Sequence, residues 1–466
     1  MNSSTNRWLR RRRQLWSGVA LFACASAVLL AGCGGTSSST STAANASAKS
    51  STSGPLTVWI DTARVPYEKA YMATHPGANI KWVIYNGNTN GTGVLQSKFA
   101  LWNRTGWPST APDVMFDTQN YDAVQLATPP YNDLLNLKPY VPASVLGNYA
   151  TGSLSNCTAP GGQIVCLRND NAADVLWVNQ KLYDQFFHGK PVPTTWAGII
   201  ADGEALQANH PGYIAGDIGD QYDEDLILWA NECALNQVVS STTVEIDPSS
   251  SNCTTIANML APVEGKSFTT TAALGTGFDA KKVVMMVGPL WYGTAVFQTG
   301  TSAGVPARTV AAYPPPAATN GAHVTGALGG GLWLVSAHSK HPAAAAALAQ
   351  YMSTSPNVQK AGVDAGLPDY VPDQDSYLKS LNSVFANPAS TEAAWKTAAG
   401  EVWTGWSPVP WSTDAVWGST ALPNLTANPP KPFAAQLVPY AAALANYARQ
   451  AGYSVKSPVS AVSSPS

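Results

Sequence analysis

Short apolar runs alternate with amphipathic helical stretches along most of residues 55–370, and this rhythm confines the chain to layered α/β architectures. The run 56–60 reads as a strand, 65–74 as a helix ending before His75-Pro76-Gly77, and 80–85 as a second strand. A helix over 93–103, a buried strand over 113–116 and a helix over 120–127 continue the pattern. Strands are expected at 163–167, 174–178, 283–287 and 332–335, with helices at 179–187 and 195–208. Pro342 suits the first position of a helix reaching Ser353. Residues 376–452 read as mostly helical, with Trp-rich loops around 403–417 and a break near Pro439. A composition 45% apolar and 12% charged supports a large core. With 26 basic against 28 acidic residues, no basic surplus exists to neutralise phosphates, which excludes a nucleic-acid binder.

The N-terminus carries a different signal. Arg7 and Arg10 to Arg13 precede a short apolar stretch from Leu15 to Leu30, the tripartite pattern of a secretory signal. The stretch is too short to span a bilayer comfortably. Leu30-Ala31-Gly32-Cys33 resembles a bacterial lipobox, which implies cleavage before Cys33 and a diacylglyceryl anchor on its thiol, outside the cell membrane. Arg12-Arg13 leaves a twin-arginine route open beside the ordinary one. Residues 1–32 are thus the signal, 33–54 a Ser/Thr/Gly tether, and 456–466 a disordered tail. Loss of five Arg leaves 21 basic and 28 acidic groups, a net charge of −7. Beyond Cys24 and Cys33, four cysteines remain. The expected pairs are Cys157 with Cys166 and Cys233 with Cys253. No CxxC pair exists to build a zinc site, and neither metal nor cofactor is expected.

Several ordered segments resemble the family 1 extracellular solute-binding proteins of sugar ABC transporters, relatives of maltose-binding protein. They are Leu56-Thr57-Val58-Trp59-Ile60, Ala111-Pro112-Asp113-Val114, Asp133-Leu134-Leu135 and Gly162-Gln163-Ile164-Val165. Leu176 to Tyr183, Pro191 to Trp196, Met285 to Pro289 and Gly329 to Trp333 follow. The resemblance implies a bilobal α/β fold with a hinged cleft, acting without catalysis. It further implies a monomer that captures a sugar and passes it to membrane permease subunits. By the same analogy one lobe comprises 55–168 plus 328–370 and the other 169–327 plus 371–455.

A sugar site needs aromatic planes for ring faces and planar polar groups for hydroxyls. Asp117, Thr118 and Gln119 follow a strand end, where open α/β sheets bind ligands; the bland alternative is a helix cap. Asn169 and Asp170 lie at the inferred crossing, with turn chemistry as the alternative. Trp291 and Tyr292 occupy the region where the family commonly places a stacking ring, although Leu290 replaces the first aromatic. Gly330 and Gly331 resemble the family's glycine-rich re-entry. Trp333 is a further ligand candidate, but it follows one residue late, which turns its ring to the opposite strand face and makes core packing the alternative. Tyr222 and Asp223 are ligand candidates, while Glu224 and Asp225 read as helix N-terminal charge. Trp59 and Asp61 end the first strand, and Trp406 sits with Trp403 and Trp411 in an aromatic wall.

The expected ligand is a neutral mono- or oligosaccharide, because the candidate loops hold few bases for an anion. A polyamine is the alternative for an acidic cleft. A hydrolase using Asp117, Asp170 or Asp223 is the enzymatic rival, without a catalytic signature to accompany the acids.

Overall fold

The computed structural model describes residues 54–86, 94–119, 122–298, 304–361, 366–407, 409 and 411–463. The signal, most of the tether and Cys33 lie outside these residues.

The first body is built on a five-stranded sheet in the order Ile80–Ile84, Leu56–Ile60, Val114–Asp117, Leu332–Val335, Cys166–Arg168. The first three strands run parallel, and Leu332–Val335 runs antiparallel to both its neighbours. The period-two alternation of side chains divides the strand residues between two cores. Val58, Ile60, Val114, Phe116, Trp333 and Val335 pack under the helix Pro342–Thr354. Trp59, Met115, Leu332 and Leu334 pack on the other face with Leu95, Phe99 and Leu126. Pro342 does open its helix, where a missing N–H costs nothing.

The second body has a three-stranded antiparallel sheet with Asp174–Asn179 between Met285–Pro289 and Val310–Tyr313. The helix Trp196–Asn209 starts at Thr195, whose hydroxyl accepts from the Gly198 N–H. The helices Thr413–Thr420 and Leu437–Gln450 cover the same core through Trp417, Tyr440 and Leu444. Between the sheets the chain crosses at Asp170–Asn171, which pairs antiparallel with Leu367–Pro368, and at the bridge between Ala173 and Ala327.

Two expectations for the C-terminal region are corrected. Pro439 breaks nothing, because it lies in the first turn of Leu437–Gln450, where its N–H would have no helical acceptor. The end of the chain is ordered through Ser463. Ser454–Lys456 adds a parallel strand to Thr243–Ile246, Val462 is buried, and Arg449 Nη2 donates to the carbonyls of Val462 and Ser463. Val455, Val459 and Val462 provide the apolar contacts in a segment otherwise rich in Ser.

Both expected disulfides form, with Cα separations of 4.8 Å for Cys157–Cys166 and 4.9 Å for Cys233–Cys253. Replacing Cys233 and Cys253 together by Ala should lower unfolding free energy by about 3 kcal/mol, the loop-closure value for this spacing, in equilibrium denaturation.

Candidate functional site

The carboxyl edge of the first sheet carries Asp61, the 85–86 turn and Asp117 to Gln119. Asp61 accepts the Arg64 N–H at 2.9 Å and pairs with its guanidinium at 3.5 Å, and that guanidinium lies 4.2 Å from the centre of the Phe116 ring. Asp117 is buried and accepts the Gln119 N–H at 3.0 Å. Gln119 Nε2 donates to the Thr118 hydroxyl at 3.1 Å. Burial, and then the neighbouring Asp122 carboxyl, hold Asp117 well above the ordinary carboxylate range. Asp122 is pushed up to about 6 by burial. Gln96 Nε2 donates to Asp122, and Asp117 also raises the Tyr85 hydroxyl after burial.

The crossing residues form a closed hydrogen-bond network. Asn169 Nδ2 donates to the Tyr67 hydroxyl at 3.2 Å and to Asp170 Oδ1 at 2.9 Å. Its Oδ1 accepts from Trp333 Nε1 and Gln359 Nε2, both at 3.1 Å. Asp170 accepts the N–H groups of Gly331 and Gly366 at 2.8 Å each. Arg168 Nε donates to Asp369 at 2.9 Å, with both side chains buried. Asn169 has therefore used its four hydrogen-bonding positions, and the expectation of ligand contact there is corrected to a structural role. Asp170 joins it, since both its oxygens are engaged.

Three aromatic candidates are also taken up by cores. Trp333 is fully buried against Phe116 at 4.9 Å, on the strand face opposite Leu332, as its one-residue displacement implies. Tyr292 is buried against Gly288, where an added Cβ would meet its ring at 2.4 Å. Trp59 packs on Tyr85 and Trp102. A Cβ on Gly330 would stand 2.2 Å from Arg168 Nη2, and one on Gly331 2.2 Å from Phe116. The close approach these glycines allow is thus to the protein itself.

Trp291 remains half-buried. Its indole N–H donates to the Leu328 carbonyl at 2.9 Å, and its ring meets Tyr292 edge-on at 4.6 Å. Around Tyr292 lie Asp174, Asp217, Asp220 and Asp223, whose charges add to burial in raising its hydroxyl. Burial lifts Asp217 and Asp223 far upward and Asp220 to about 6. Tyr222 is half-buried and raised first by burial, then by Asp414 and Asp220. Glu224 is not an exposed helix-end charge. It is buried, accepts from the Tyr440 hydroxyl, and is raised to about 7 by burial. Asp414, at the start of the helix Thr413–Thr420, is raised by burial, Glu224, Asp220 and Asp122.

A separate cavity of about 30 Å³ is lined by the strip Thr151 to Asn156, the rings of Trp229, Trp403 and Trp406, and Arg168 and Asn171. Trp406 stacks on Trp229 at 4.9 Å with planes 6° apart. Trp411 packs instead against Tyr453.

Residues 56–359 match the family of bacterial extracellular solute-binding proteins. The chain belongs to that family. These are transport-binding proteins that work outside the cytoplasm. The galacto-N-biose-/lacto-N-biose I-binding protein of the ABC transporter from Bifidobacterium longum, in complex with lacto-N-biose, is 17% identical with a TM-score of 0.70, covering 87% of this chain and 100% of that one. The ABC transporter associated binding protein from B. animalis subsp. lactis Bl-04, in complex with beta-1,6-galactobiose, is also 17% identical, with a TM-score of 0.67 and the same coverage. The Listeria monocytogenes ABC substrate-binding protein, in complex with cycloalternan, is 15% identical at a TM-score of 0.63, covering 86% of this chain and 100% of that one. No curated protein matches the chain by sequence. The solute-binding fold is bilobal, in agreement with the two sheets and their crossings.

Sequence reasoning missed Gln96, Asp122, Asp217, Asp220, Trp229 and Asp414. Asp217 ends, and Asp220 follows, a two-residue strand, Gly216–Asp217, too short to register as a period. Trp229 follows the Glu224–Leu228 helical turn, where an aromatic reads as core.

The raised acids set a pH dependence. The folded chain holds protons on Glu224, Asp122 and Asp220 more tightly than the unfolded chain does. Their stabilisation is complete below the unfolded values and is lost as pH rises towards 7 for Glu224 and 6 for the others. The melting temperature should therefore fall between about pH 4.5 and pH 7.5, and Glu224→Gln, which mimics the protonated acid, should flatten that fall.

Proposed function

We propose that this chain is the sugar-capturing receptor of an ABC importer, closing two lobes over a mono- or oligosaccharide and delivering it to permease subunits. The observation that carries the reading is the stacked indole pair of Trp229 and Trp406 lining a cavity with the hydroxyl-bearing strip Thr151 to Asn156. Aromatic planes take the apolar faces of sugar rings, and carboxyls accept from their hydroxyls. The sugars bound by the three structural relatives support the same ligand class.

The proposed lobes are 55–168 plus 328–370, and 169–327 plus 371–463, hinged at the crossings. The contact residues we favour are Asp61, Asp117, Thr118, Gln119, Tyr222, Asp223, Trp291 and Trp406. The receptor would act as a monomer, tied to the outer membrane face through Cys33. Among the described residues no helix is long and apolar enough to cross a membrane. A polyamine is the second reading, favoured by the buried acids.

A thermal-shift panel of neutral saccharides, polyamines and amino acids tests the function. A saccharide at about 100 times its dissociation constant should add about 2.7 kcal/mol of stability. Trp291→Ala and Trp406→Ala should each reduce that shift; a shift preserved in either variant removes that ring from the site. Cys33→Ser should release the protein from membranes into the soluble fraction. Retention would show that another segment anchors it.

A further inference from the structure

The cavity beside Trp229 is too small for a sugar ring and has the wrong walls for a charge. Its volume is about 30 Å³. At about 10–15 Å³ for each water-sized group, that leaves room for about two. A pyranose has six ring atoms before its substituents are counted. Part of the lining is apolar. Trp229 and Trp406 form a small aromatic cluster of their own with Trp403 and Ala234, outside the main cores of the molecule. Part of the lining is polar. Asn156 is buried, and its side-chain oxygen accepts the Ser155 hydroxyl at 3.2 Å, which leaves its amide N–H groups without an acceptor among the described residues. Among the described residues that line the cavity Arg168 alone is charged, and its guanidinium is engaged with Asp369 and the carbonyls of Asp170 and Gly329. A charged group entering here would lose its water and find no spare counter-ion. The lining grades from exposed Thr151, Gly152 and Thr404 to buried Asn156 and Trp406, so the recess is reached from solvent. It is narrow at that end: a Cβ on Gly152 would stand 2.9 Å from Thr404 Cγ2.

We propose that this recess receives the exocyclic hydroxymethyl group of a hexopyranose, with its methylene against the Trp229 and Trp406 indoles and its hydroxyl oxygen accepting from the Asn156 amide. This rests on the sugar-receptor reading and narrows it to saccharides built from hexoses. Pentopyranoses lack the group and leave the recess unfilled. A two-heavy-atom substituent matches the volume, and its one carbon and one hydroxyl match the two kinds of wall. One buried methylene and one hydrogen bond together favour the hexose by at least about tenfold.

The test is calorimetry of the mature protein with three matched pairs: D-glucose and D-xylose, D-galactose and L-arabinose, cellobiose and xylobiose. In each pair the second sugar is the first without its hydroxymethyl groups. At least one hexose member should bind about tenfold or more tightly than its counterpart. Asn156→Ala, which removes the donor, should bring that ratio towards one. Ala327→Val, which adds two methyl groups to the lining, should do the same and serves alone if the first variant does not fold. Equal or tighter binding of the pentose members overturns the proposal, as does a ratio unchanged in the variants that fold; both results leave the sugar reading intact. So does a panel in which other saccharides stabilise the protein and none of these six binds. Binding of spermidine with no saccharide bound overturns both.

Discussion

The buried ion pair between Arg168 and Asp369 anchors the arrangement. A guanidinium removed from water is costly unless its donors are met, and here Nε meets Asp369 while Nη2 reaches the carbonyls of Asp170 and Gly329. The residues it draws together belong to three separate passages of the chain between the two sheets. Asn169 and Asp170 extend the same network to Tyr67, Trp333, Gln359, Gly331 and Gly366. Removing one member leaves others buried and unpaired, so the joint has a defined geometry.

Two regions of the molecule present different chemistry. One region has aromatic rings, backbone turns and hydroxyls around a small cavity. The other has carboxyls whose charges are disfavoured by burial and by each other. Neither region shares a lining side chain with the other. The two disulfides stand close to the aromatic region: Cys157 follows the strip ending at Asn156, and Cys233 lies four residues beyond Trp229.

The strands 56–60 and 332–335, the helix opening at Pro342, both disulfides and the family were legible in the sequence. Each rests on local signals: side-chain period, a proline at a helix start, cysteine spacing and ordered short motifs. The displacement of Trp333 by one residue even predicted which face it would take. The identity of the contact residues was far less legible. Asn169 and Asp170 have the right chemistry for a ligand, yet their hydrogen bonds close on partners up to 196 residues away. Glu224 reads as a helix-end charge, yet Tyr440 covers it. Local pattern determined the α/β layers, the covalent staples and the class of molecule, because those depend on periodicity and spacing along the chain. Only the tertiary structure decided which polar groups are consumed by the joint, because hydrogen-bond satisfaction depends on distant segments brought together by folding.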